Sequence, residues 1–145
     1  MKNHVQPEKF ISMPFYALTC ELLDCVRDHN YERLSNICDD DFGIIDINPT
    51  GGSEIIRDRK GWEDWFTGLF SKLDSMNAET WSEITSYEAI AWSDMWYSVV
   101  VFDQMFIAWG QHLKFAVTAT IIWKLRDGVW YESRYHSSLI SMGPV

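Results

Sequence analysis

The sequence predicts an α+β fold in which three N-terminal helices pack on a strongly curved antiparallel sheet. Helical stripes are confined to the first half, where Phe15, Leu18, Leu22 and Val26 recur at helical spacing and Trp62, Trp65, Phe66, Leu69, Phe70 and Leu73 do the same. From Asn77 onward no such stripe remains, only β-rich segments punctuated by Ser93-Asp94, Gly110-Gln111 and Asp127-Gly128. These read as four strands of roughly 12 to 15 residues, well beyond the usual 5 to 6, and strands of that length have to twist and coil.

Each element has its own signal. Ser12 is placed to cap the first helix, with Pro14 in its opening turn, and the stripe ends near His29-Asn30. Asn30 then caps a second, short helix that buries Tyr31, Leu34 and Ile37. The run Asp39-Asp40-Asp41 is expected to break the pattern before an isoleucine-rich strand, Phe42 to Asn48, closed by turn chemistry at Pro49-Thr50-Gly51-Gly52. After the short apolar piece Ile55-Ile56, a third helix is expected from about Lys60 to Leu73, with Asp58 as its cap. The closing hairpin is the strongest local signal: Gln111 to Leu125, the turn Arg126-Asp127-Gly128, then Val129 to Ser141. No linker or internal repeat interrupts the chain, so residues 1–145 are expected to form one domain.

Composition restricts the function classes. A hydrophobic share of 47% supplies ample apolar surface for one core, and an aromatic share of 15% fits either an aromatic-lined cavity or a densely packed interior. The formal charge of -9 argues against nucleic acid and anionic membrane as partners, because phosphate binding draws on clustered Lys and Arg. Cys20, Cys25 and Cys38 are odd in number and lack CxxC spacing, which suits a reduced, cytoplasmic location. The segment Met1 to Lys9 has no apolar core of a signal peptide, and no stretch approaches the roughly 18 apolar residues of a membrane span.

Chemistry-bearing residues concentrate in the last strand. Alternation places Glu132, Arg134, His136 and Ser138 on one face, which is either a solvated outer surface or the floor of a pocket. In the second case Arg134 offers a fork for a carboxylate and His136 a group that titrates near neutrality. If the opposite face points inward, Tyr131, Ser133, Tyr135 and Ser137 line the interior instead. Asp46, inside the isoleucine strand, is a desolvated general base, a strand-edge carboxylate facing solvent, or one paired with Arg134. Trp96, Trp109 and Trp123 serve as cavity walls or as plain core packing. His4, His29, His112 and His136 stand isolated, with no HExxH spacing, so no metal is expected. Nucleophile-elbow, Walker and dinucleotide signatures are missing, so no cofactor is expected either.

The order helix, helix, strand, helix and long-stranded meander, with Gly128, Trp130, His136 and Ser138 in the closing strand, resembles the NTF2-like superfamily, whose fold is also described as cystatin-like. The ending, together with Ile45 to Gly51, Gly61 and the aromatic helix, is similar to the SnoaL-like branch and to the association domain of calmodulin-dependent kinase II. The resemblance implies a cone with a pocket between the concave sheet face and the helices, and a homodimer formed through the outer sheet face. It spans ketosteroid isomerases, polyketide cyclases, epoxide hydrolases, dehydratases, transport adaptors and members without known activity, so it implies a pocket and not a reaction. The leading expectation is a domain that binds a small, largely apolar molecule, with Arg134 and His136 as polar contacts. The enzymatic alternative is a proton-transfer isomerase, cyclase or dehydratase with Asp46 or His136 as base, and with Tyr16, Tyr97 and Asp103 as candidates for the oxyanion-binding tyrosine and the second acid. The third alternative is an assembly module without catalysis.

Overall fold

In the computed structural model, which describes residues 8–47 and 52–145, four helices and six strands follow one another as α1 (Glu8–Ile11), α2 (Tyr16–Arg27), α3 (Tyr31–Ile37), β1 (Cys38–Ile47), β2 (Ser53–Ile56), α4 (Arg59–Ser75), β3 (Glu79–Trp92), β4 (Met95–Ala108), β5 (Gln111–Arg126) and β6 (Val129–Pro144). Helices α2, α3 and α4 correspond to the predicted ones, and α1 is an added single turn. Asn30 accepts from the Arg33 N–H at 3.1 Å and Asp58 from the Gly61 N–H at 2.7 Å, so both predicted caps are made. Ser12 does not cap α2. Its N-cap position is taken by Phe15, in the left-handed region at φ 59°, with no side-chain cap.

All six strands form one sheet in the order β2-β1-β6-β5-β4-β3. The β3 to β6 meander is antiparallel, as its tight turns require, and the long strands run to 14 and 16 residues. Two findings depart from expectation. The β1–β6 pairing is parallel, which makes the sheet mixed. The Asp39 to Asp41 run is strand and not a break, because Asp39 is buried and its Oδ2 lies 3.0 Å from Arg126 Nη2. The predicted turn residues Pro49, Thr50 and Gly51 lie outside the described residues.

The helices cover one sheet face. On α4, Trp62, Phe66, Phe70 and Leu73 are buried at helical spacing, and Trp62 meets Phe42 of β1 and Tyr31 of α3. On α2, Tyr16, Thr19, Leu22 and Cys25 are buried toward β3. The sheet contributes Val100, Phe102, Val117, Ala119, Ile121 and Trp123 to the same core. Among the described residues, no helix is long and apolar enough to cross a membrane.

Candidate functional site

The polar part of the interior is built by an irregularity in β6. Trp123 pairs with Glu132 but Ile122 pairs with Arg134, so Ser133 is an extra residue between them. Such a bulge exchanges the faces of everything beyond it. Trp130 and Glu132 point inward before it, Ser133 is fully buried at it, and beyond it Tyr135, Ser137 and Leu139 face the core while Arg134, His136 and Ser138 face out.

Arg134 and His136 therefore do not line the interior as expected. The Arg134 guanidinium donates to the Ser133 carbonyl at 2.7 Å, to the Asp41 carbonyl, and to the Asp41 carboxylate at 3.4 and 3.5 Å. Its donors are turned to the irregular stretch of neighbouring β1 and to its own strand. The β5 neighbour of His136 is Thr120, also exposed.

Asp46 occupies the inner face of β1, two positions beyond the buried Ile44. The Ser137 hydroxyl donates to Asp46 Oδ1 at 2.6 Å and the Ile47 N–H to the same oxygen at 2.7 Å. Both bonds fall on Oδ1, which fixes the carboxyl plane; among the described residues Oδ2 accepts no hydrogen bond. Burial raises the Asp46 pKa above the ordinary carboxylate range, opposed by the Ser137 and Ile47 hydrogen bonds and aided by the nearby Glu54.

Two further groups belong to this polar interior. The Glu132 carboxyl is fully buried, and the Cys38 thiol approaches its Oε2 at 3.7 Å. Burial pushes it up to about 8. The Tyr135 phenol is raised well above its usual value by burial and by the neighbouring Asp46 and Glu132 charges. Sequence reasoning placed Ser137 and Tyr135 inside only under its second register, and grouped Glu132 with Arg134. No residue in Tyr131 to Ser137 signals the bulge.

The remaining candidates scatter. Tyr16 is buried against Phe10 and Tyr87 of β3, four strands from β1 in the sheet order. Asp103 pairs with Lys114 at 3.8 Å on the outer face, the face Tyr97 also shares. Trp109 sits in the β4–β5 turn with 77% of its surface exposed. Trp96 and Trp123 face inward, and Trp123 Nε1 donates to Ser98 Oγ at 3.0 Å. A shallow groove of about 580 Å³ runs along α2 beside Tyr16, Cys20, Glu21 and Arg33, apart from Asp46. Among the described residues, no three His, Cys, Asp or Glu side chains are grouped to hold a metal ion.

No family model matches the sequence, and no curated protein matches it. Solved structures do. A type 2 hexachlorocyclohexane dehydrochlorinase, LinA, superposes with a TM-score of 0.73 at 22% identity, covering 88% of this chain and 84% of that one. The hub homology domain of CamKII from Chlamydomonas reinhardtii gives 0.69 at 18% identity, over 86% and 94%. An NTF2-like protein with a cystatin-like fold from Novosphingobium aromaticivorans gives 0.71 at 11% identity, over 86% and 79%. The fold is thus the α+β, cystatin-like fold of NTF2-like proteins.

Proposed function

We propose that the protein is a SnoaL-like member of this fold group that binds a small, largely apolar molecule inside the cone, with Asp46 at the polar end of the site. The observation that carries this reading is the fixed, inward-facing Asp46 carboxyl, bonded through one oxygen by Ser137 and Ile47 among apolar side chains. A buried carboxyl oriented in this way suits a carbonyl or hydroxyl group on an otherwise greasy ligand.

The raised pKa of Asp46 favours proton transfer as the second reading. A carboxylate whose charged form is disfavoured by burial is a stronger base than one in water, and an apolar substrate acidified alpha to a carbonyl is within its reach. Fold neighbours include both a dehydrochlorinase and a kinase hub domain, so the fold accommodates chemistry as well as assembly. The same reading includes a homodimer through the outer sheet face and a reduced, cytoplasmic setting for the free thiols Cys20, Cys25 and Cys38.

The test is hydrogen–deuterium exchange of simple cyclic enones and ketones in D2O, followed by NMR. Wild type is expected to catalyse exchange alpha to the carbonyl, Asp46→Asn to lose at least about 100-fold of it, and His136→Gln to keep it. Equal rates with wild type and Asp46→Asn would remove Asp46 from the role of base. Saturable ligand-induced shifts of the Ser137 and Ile47 resonances without exchange would leave binding as the function.

A further inference from the structure

Away from Asp46, three tryptophans make a box at the opposite end of β6. Trp123 of β5 is its floor, fully buried and fixed by the hydrogen bond to Ser98. Trp96 of β4 and Trp130 of β6 are half-buried walls, with ring centroids 6.4 Å apart at 80°. The Phe15 ring fills the space between them. It stacks on Trp123 at 5.5 Å and 8°, and meets Trp96 at 5.1 Å and Trp130 at 5.0 Å, both edge-on. Seven positions separate Trp130 from Ser137, the partner of Asp46, or roughly 20 Å along a strand.

Phe15 reaches the box through a costly backbone. It sits at φ 59° and ψ 5°, a left-handed conformation that is a genuine outlier for a bulky side chain. Anchors on either side impose it. The Pro14 carbonyl accepts from the Tyr87 hydroxyl at 2.6 Å, and the Phe15 carbonyl accepts from both the Thr19 N–H and the Thr19 hydroxyl at 2.8 Å. Phe15 remains half-buried and α2 starts only after it, so its ring can swing out without unwinding a helix.

We infer that the Trp96, Trp123 and Trp130 box is a second binding site, for the uncharged planar ring of an aromatic small molecule, and that Phe15 is its displaceable plug. The present occupant defines the ligand class: one face of the ring lies on an indole, and its edges meet two more, an arrangement that selects flat aromatic surface over aliphatic bulk. A fixed floor and walls that reach the surface make the box preorganised and accessible. Rotation about the Phe15 side-chain torsions empties the box while the Tyr87 and Thr19 anchors stay in place. The site is independent of Asp46 and of any reaction there.

Naphthalene is the probe, titrated into wild type by calorimetry and followed by NMR at the Trp123 Nε1–H. Wild type is expected to bind one equivalent saturably, with shifts at Trp123 and Phe15. Phe15→Ala, which removes the internal competitor, is expected to bind at least ten times more tightly, Phe15→Ala/Trp130→Ala at least ten times more weakly than Phe15→Ala, and Asp46→Asn as wild type does. Absence of saturable binding to wild type overturns the inference even if Phe15→Ala binds, because the box would then be a void made by the substitution. Equal binding by wild type and Phe15→Ala, or binding of tetramethylammonium in place of naphthalene, overturns it as well. The wild-type NMR titration decides the matter on its own if the variants do not fold.

Discussion

Glu132 is a fully buried acid with no cationic partner among the described residues. Its surroundings offer a thiol at 3.7 Å, and burial raises its pKa from the ordinary 4.5 to about 8. Between those values the native chain holds a proton that the unfolded chain has released. Stability from this group is therefore complete below pH 4.5 and is lost as pH rises to about 8, by up to about 1.4 kcal/mol per pH unit within the window. Glu132→Gln keeps the shape and removes the titration. Urea unfolding across that window is expected to show the variant gaining on wild type as pH rises, so that it is the more stable protein at the upper end. Parallel curves would mean that Glu132 titrates normally in the fold. Cys38 is bound to the same outcome: burial and the Glu132 charge keep its thiol protonated, so it is an internal donor and not a nucleophile.

Among the elements, those whose signals are local were legible and those set by distant pairing were not. Asn30 and Asp58 each cap a helix through a residue three positions on, a relation written within a few letters of sequence. Asp58→Ala is expected to cost about 1 kcal/mol and to lower the melting temperature by about 2–4 °C; an unchanged melting curve would show that Ile56 and Trp62 hold the start of α4 without the cap. The Ser133 bulge is different in kind. It arises where β6 fits against β5 on one side and β1 on the other, and a register break likewise falls between Cys38 and Gly43 in the β1 ladder. Simple alternation keeps Glu132 on one face with Arg134 and His136, so neither of its two registers fits the whole strand: one wrongly turns Arg134 and His136 inward, and the other, which places Tyr135 and Ser137 inside, wrongly turns Glu132 out. The parallel β1–β6 ladder was equally invisible, since Gly43 and Arg134 carry no mark that they will be neighbours.

Among the described residues no helix covers the outer face of the sheet. Ile90, Trp92 and Met95 project from it with 45, 66 and 43% of their surfaces exposed, and the paired strands extend this patch through Tyr97 and Ile122 toward Arg134. A homodimer through this patch is the expected assembly, burying on the order of 1,600 Å² in total. Sedimentation equilibrium is expected to show a dimer for wild type and a monomer for Trp92→Glu, with circular dichroism unchanged. A wild-type monomer at all concentrations would assign the patch to another partner.

The place of β6 between β1 and β5 has a consequence for how the chain is made. Until residues 129–144 exist, β1 and β2 have no third strand to join, and the apolar faces of α3 and α4 pack against a hairpin cut off from the rest of the sheet. The ladder that joins the two parts of the sheet therefore forms only after residues 129–144 have been made. Until then the β1–β2 hairpin is held to the meander only through helix packing, α2 against β3 on one side and against α3 on the other, a late and long-range closure of the kind that slows folding.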